Sequence, residues 1–264
     1  PQRVDTREGR GGQGRLIPLV PATLEARGMP FTGCPADAVY LTSHKTLAKT
    51  LLQQAGLPTA PWVTGGPWEG LSSHTGPWII KSVWEDASLG LDDDAIVEST
   101  PAALLPLLDA RQGSAGAPWF AEAYIAGREF NIALLDGPQG PEVLPHAEML
   151  FKDFPESKPH IVGYAAKWHE DSFEYTNTVR TFDFPNQDSA LLQEMSRLAL
   201  ACWNLFHLRG WARVDFRVDE TGQPWILEAN VNPCLAPDAG FAAALAQAGI
   251  GFTQAIGRIL ATAG

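Results

Sequence analysis

Cysteine, methionine and basic side chains are all scarce in this chain of 264 residues, and each scarcity removes a class of protein. The three cysteines, Cys34, Cys202 and Cys234, form no CxxC pair and no even-numbered framework, and the six histidines make no HExxH. A disulfide scaffold and a zinc site of familiar spacing are thereby excluded. Against 30 Asp and Glu stand only 19 Lys and Arg, a net charge of -11 with a pI near 4.9, so the chain lacks the basic field that a nucleic-acid backbone demands. No apolar run approaches the ~18 residues of a membrane span, and the opening PQRVDTREGR has no apolar core of the kind a secretory signal carries. The expected setting is the cytosol and the expected partners are small molecules. Repeats of fixed period and low-complexity tracts are also missing. What remains is 45% hydrophobic, enough for a sizeable core and more than one lobe.

The most informative stretch is residues 210–232, GWARVDFRVDETGQPWILEANVN. Val214, Phe216 and Val218 alternate with Arg213, Asp215 and Arg217, and Trp225, Leu227 and Ala229 alternate with Ile226, Glu228 and Asn230, around a turn marked by Asp219, Gly222 and Pro224. This is the pattern of a β-hairpin. Pairing Asp219 with Pro224 sets Asp215 opposite Glu228 and Arg213 opposite Asn230. Two carboxylates facing across a ladder repel, by roughly 0.2 to 1 kcal/mol per pair, and a hard dication such as Mg²⁺ would offset this with carboxylate and amide oxygens. On the hairpin alone, a solvated polar face with the long side chains splayed apart is the favoured reading.

Residues 9–14, GRGGQG, satisfy GxGxxG literally, but the polar run before them and Pro18 and Pro21 after them deny the strand-turn-helix context of a dinucleotide site. Helical patterns are expected over 20–26, over 47–55 with Gly56 and Pro58 as stop signals, from about 95 to 111, over 191–205 and in the Ala-rich C-terminal stretch. Strands are expected in MPFTG, TAPWV, PWIIKSV and EVLPHAEMLF, and WFAEAYI with REFNIALL reads as a second hairpin about Ala126 and Gly127. Lys81 sits on one such strand beside WEDASLGL, a small glycine-ended loop whose amides could cover phosphates, although a surface Lys at a strand end fits this stretch as well. Residues 152–163, KDFPESKPHIVG, read as a mobile loop, and Lys167 and Trp168 follow it.

Taken together, two lysines read as strand-borne (Lys45 and Lys81), the glycine-ended loop, a hairpin with two glutamates, a third lysine, then RVDF and LEANVNP resemble the ATP-grasp ligases, specifically the D-alanine:D-alanine ligase family. The resemblance implies an α+β ATP-grasp fold whose two lobes clasp ATP, with the remnant of an N-terminal α/β domain over 1–40, a central lobe over 41–118 and a C-terminal lobe over 119–264. It further implies that Lys45 and Lys81 contact the nucleotide phosphates, that Glu85 and Ser88 belong to the loop closing over them, and that Lys167 reaches them from the other lobe. Glu122, Ala123, Tyr124 and Ile125 would form the hinge against adenine, and Glu129 would hold the ribose hydroxyls. Asp215, Glu228 and Asn230 would hold two Mg²⁺, with Mn²⁺ as an alternative, and Arg213 would lie on the reacting carboxyl. The implied reaction joins a carboxylate to an amine through an acyl phosphate. Homodimer formation is left open.

Departures from the family pattern lie on the substrate side. Ala87 precedes Ser88 where the family has two serines, Trp168 replaces a tyrosine, Ala239 a serine that receives the second substrate's carboxylate, and Glu8 a histidine. With Asp238, Leu235 and Cys234 near the same turn, these changes point to a substrate pair other than two D-alanines, with an ammonium-bearing acceptor. Cys234 is read as a small buried residue rather than a nucleophile, since nothing in sequence is placed to activate it. A non-catalytic ATP-binding module, and an ATP-grasp enzyme with a thiol or hydroxy-acid acceptor, are the alternative functions.

Overall fold

A computed structural model describes residues 13–64, 74, 76–84, 95–115 and 118–263. Three helices lead in: α1 (Leu19–Ala26), α2 (Ala36–Ser43) and α3 (Lys45–Gln54). MPFTG contributes no strand. Helix α3 is amphipathic, burying Ala48, Lys49 and Leu52 at helical spacing, and His44 caps its start by accepting from the Leu47 N–H. Lys45 therefore opens a helix and is not strand-borne. Of the glycine run, Gly14 is buried in a short 3₁₀ turn, where a Cβ would fall 1.9 Å from the Trp84 carbonyl oxygen.

The first sheet is antiparallel with order β1-β4-β2-β3, built from β1 (Trp62–Thr64), β2 (Pro77–Ser82), β3 (Ile96–Glu98) and β4 (Trp119–Ala123). One face packs Trp78, Ile80, Ala121 and Ala123 on Leu104 and Leu108 of α4 (Pro101–Ala115). The helix expected from residue 95 begins later, because 96–98 pair with β2. The second sheet runs β10-β9-β5-β7-β8, with β6 (Glu142–Val143) beside β5 (Arg128–Leu135). Its other strands are β7 (Ala147–Phe151), β8 (Thr178–Thr181), β9 (Trp211–Val218) and β10 (Pro224–Asn230). Short helices α5 (Tyr164–Trp168) and α6 (Phe173–Asn177) precede β8. Phe130, Ile132, Val214, Phe216 and Ile226 form the main core with α7 (Ser189–Leu205), while α8 (Gly240–Gln247) and α9 (Phe252–Ala261) cover one end of the opposite face, where Ala133, Leu135 and Trp211 lie.

The hairpin expected about Ala126 and Gly127 does not form. β4 sits between β1 and β2 of the first sheet, whereas β5 pairs with β7 and β9 of the second, so residues 124–127 are a crossover. The Ala123 and Tyr124 N–H groups still donate to Pro61 and Pro77, and the chain then turns at Gly127, whose φ is +129°. The strand grouped in sequence with the C-terminal lobe thus completes the first sheet. A Cβ at Gly127 would lie 2.1 Å from the Val218 carbonyl oxygen. Gly127→Ala is expected to destabilise the fold by roughly 2–4 kcal/mol, adding a clash with backbone to an unfavourable φ; an unchanged urea midpoint would refute this.

The β9-β10 hairpin forms with a twist on the expected register. Its turn pairs Pro224 with Val218, not with Asp219, yet beyond the turn Glu228 lies opposite Asp215 and Asn230 opposite Arg213, as expected. A bulge between Ile226 and Glu228 reconciles the two by inserting Leu227 as an unpaired residue. Without it Leu227 would face Asp215 and Glu228 would turn to the core side. The cause is tertiary: Ile226 on this edge strand donates its N–H to Pro58 at 2.8 Å and accepts from the Thr59 hydroxyl at 3.1 Å. That covers the edge and fixes Ile226 in the core.

Candidate active site

The register lines up three rows on the face of the second sheet opposite its main core. Asn131, Asp215 and Glu228 form one row, Ala133, Arg213 and Asn230 the next, and Glu129, Arg217 and Trp225 the third. Arg213 forks onto Asp215 at 2.6 and 2.7 Å, and the Asn131 amide donates to the same carboxylate at 2.9 Å. Burial works against the Arg213 charge, but Asp215, Glu228 and Glu129 hold its pKa above the ordinary range. Glu228 has no hydrogen bond or ion pair among the described residues. Burial alone would raise its pKa, yet Lys45, Lys167, Arg213 and Lys81 together hold it below the usual carboxylate range. Lys45 comes from α3, Lys81 from β2, Lys167 from α5 and Arg213 from β9, so the cations named from sequence converge on one carboxylate from both sheets.

On the first sheet, Glu122 is 2% exposed and ion-paired to Lys49 at 2.9 Å and also to Lys81. Against the effect of burial, these two ammonium groups hold the Glu122 carboxyl down at about 2. Lys49 shifts the other way: burial lowers its pKa, Glu122 opposes that fall, and Lys81, which shares the carboxylate, adds to it. The cluster therefore carries excess positive charge. Its Lys49 Nζ also donates to Thr59 at 2.8 Å, linking it to the edge of β10. Glu129 is buried, which raises its pKa; Arg217 and Lys167 oppose that rise and Asp215 adds to it.

Sequence reasoning missed Lys49, Asn131 and Arg217. Lys49 was visible as a charged residue at a core position of α3, and Asn131 and Arg217 as polar residues in step with Glu129 and Asp215. Of the residues named from sequence, Glu8, Glu85, Ala87 and Ser88 lie outside the described residues. Trp168 and Asp238 are exposed, and Leu235 packs on the Phe241 cluster. Cys234 is exposed, not buried as expected, because it follows Pro233 in a turn fixed by the Trp211 indole donating to the Pro233 carbonyl at 3.0 Å. Arg180 was not foreseen. Its Nη2 would lie 3.2 Å from a Cβ at Gly240, where α8 starts after Ala239 without a side-chain cap, and its Nε is buried with no hydrogen-bond partner among the described residues.

Among the described residues, no group of three or more His, Cys, Asp or Glu is arranged to hold a metal and no helix is long and apolar enough to cross a membrane. Residues 51–261 match the family described as D-ala D-ala ligase C-terminus. The chain is 30% identical over 254 residues to an uncharacterized protein, y4sG, of Sinorhizobium fredii, spanning 96% of this chain and 71% of that one. It is 28% identical over 248 residues to a D-alanine--D-alanine ligase of Actinobacillus pleuropneumoniae, spanning 92% and 75%. Among solved structures, the D-alanine--D-alanine ligase of Bacillus anthracis complexed with ATP superposes with a TM-score of 0.68 at 21% identity, covering 92% of this chain and 73% of that one. The Coxiella burnetii ligase gives 0.70 at 17% identity, covering 96% and 65%.

Proposed function

Since the chain belongs to the D-alanine–D-alanine ligase C-terminal family and has the ATP-grasp fold, we propose that it is an ATP-dependent ligase joining a carboxylate to an amine through an acyl phosphate. The observation that carries this reading is the row of Asn131, Asp215 and Glu228 on one face of the second sheet, with Arg213 forked onto Asp215 and Lys45, Lys81 and Lys167 near enough to lower the Glu228 pKa. In the first step a substrate carboxylate attacks the γ-phosphate, the β–γ phosphoanhydride bond breaks and ADP leaves with its electron pair, while the three lysines offset the charge gathering on the phosphoryl oxygens. In the second, an amine displaces phosphate, and Arg213 with a backbone amide near residues 233–235 stabilises the tetrahedral oxygen; losing one such donor costs roughly 3 kcal/mol. Glu122 and residues 123–125 would border the base, and Glu129 would accept from the ribose. The oxygen set of Asp215, Glu228 and Asn230 suits a hard cation, and Glu228 has both oxygens uncommitted among the described residues. These residues would hold magnesium, which when bound neutralises phosphate charge.

In this reading the acceptor differs from D-alanine in its side chain, because exposed Trp168 offers a larger aromatic face on the substrate side. Ala239 removes a hydroxyl, which in sequence suggested a cationic acceptor beside Asp238, but Arg180 at Gly240 supplies a guanidinium that the sequence did not place there. The structure thus favours an amine that also bears a carboxylate, held by a charge-assisted hydrogen bond worth roughly 1.5–3 kcal/mol when desolvated. The test is ADP and phosphate release with ATP and Mg²⁺ across D-alanine, other amino acids and diamines. Amino acids should support turnover and diamines should not. Turnover with diamines would refute the role of Arg180; dipeptide formation with D-alanine alone would refute the altered acceptor.

A further inference from the structure

Arg217 lies on β9, 3% exposed, and four hydrogen bonds fix its guanidinium. Its Nε donates to the Ile125 carbonyl at 2.9 Å, its Nη2 to Gly127 at 3.1 Å and its Nη1 to His160 at 2.7 Å. The fourth bond runs from Nη1 to Glu129 Oε2 at 3.1 Å, and the guanidinium carbon stands 5.5 Å from the Tyr124 ring centroid. Three of these partners are backbone carbonyls from two separate segments, the crossover between the sheets and the stretch 152–163. His160 is itself anchored, its ring 5.3 Å from that of Phe151 and 5.6 Å from that of Phe154. The planar fork thus takes its orientation from backbone and passes it to one carboxylate, which a lysine's single ammonium could not do.

Glu129 has no other hydrogen bond among the described residues, so Oε1 is left as an acceptor while Oε2 is pinned. A carboxylate held in this way is suited to an O–H donor, because its direction is fixed before the ligand arrives. We propose that Arg217 is the positioning residue that sets selectivity for the sugar of the nucleotide, by aiming Glu129 at the ribose hydroxyls and tying it to the 124–127 crossover and to His160. This rests on the nucleotide reading of the same cleft. It adds a residue and a selectivity to that reading.

The experiment compares ATP with 2′-deoxy-ATP and 3′-deoxy-ATP, by calorimetric Kd and by KM and kcat, in the parent and in R217M, R217K and E129Q. In the parent, loss of a hydroxyl is expected to weaken binding about tenfold or more with kcat little changed. R217M should weaken ATP and bring the ratio between ATP and its deoxy analogues below about twofold, with R217K in between, since deleting either member of a coupled pair removes the same discrimination. A parent-like ratio in R217M or R217K, or in E129Q should neither arginine variant fold, overturns the inference while leaving ATP binding by the parent intact. A parent that binds no ATP refutes the ligase reading and this inference with it.

Discussion

Replacing Glu228 with Gln is expected to lower magnesium-dependent ATP turnover by about a thousandfold or more, while the fold is retained. One oxyanion-type donor typically accounts for about 10²–10³ in kcat, and Glu228 would combine two roles: it is the carboxylate whose pKa Lys45, Lys167, Arg213 and Lys81 lower, and in the proposed function it is a hard ligand beside Asp215. Gln preserves shape and one oxygen. It loses the charge that faces four cations, two from helices and one from each sheet, and with it the means to hold a dication against them. Stability should change little, because the variant also relieves the repulsion between Glu228 and Asp215 across the ladder, roughly 0.2–1 kcal/mol. The measurement is ADP release against magnesium concentration, with a thermal melt as control. Parent-level turnover at saturating magnesium would show that Glu228 is a solvated bystander.

How Glu228 reaches that position shows what the sequence could and could not convey. Alternation announced the β9-β10 hairpin, and the opposition of Asp215 and Glu228 was correct, but it was derived from a turn pairing that the structure replaces. The bulge at Leu227 restored it, and the bulge depends on Pro58 and Thr59, more than 160 residues away, which no local pattern reports. The false hairpin has a related cause. Two strands around a glycine turn look alike whether they pair with each other or leave for different sheets, and here the true neighbours of β4 are β1 and β2. Lys45, Lys81, Lys167 and Arg213 were legible through a family resemblance, since their types and order survive. Lys49 and Arg217 were not, because each acts by pairing with a residue distant in sequence, Glu122 for one and Glu129 for the other.

Glu122→Gln is expected to destabilise the fold by about 3–5 kcal/mol at neutral pH, the range for removing one partner of a buried ion pair. In a chain of this size that corresponds to a fall in Tm of roughly 10 °C. Lys49 is 1% exposed and has Glu122 as its only ion-pair carboxylate among the described residues, and Lys81 leans on the same group, so the variant leaves two ammonium groups facing a neutral amide. The pH dependence separates this from simple loss of packing. In the parent, Glu122 has a folded pKa of about 2 against an ordinary 4.5, so its contribution is fully present above about pH 4.5 and is lost as pH falls from there toward about 2. In the variant that acid-side loss should disappear. Lys49 should then dominate on the basic side: burial already holds its pKa below 10.5, and without Glu122 it falls further. The unfolded chain then binds more protons than the folded one, so the variant's stability should rise with pH up to about 10. Adding Lys49→Met should recover part of the loss at neutral pH, a non-additivity expected only if the unpaired charge is the cause. Urea unfolding of the parent, both single variants and the double variant across pH 3–10 tests this. Strictly additive losses with no pH dependence would mean that Glu122 fills space in β4 and that the two lysines do not depend on its charge.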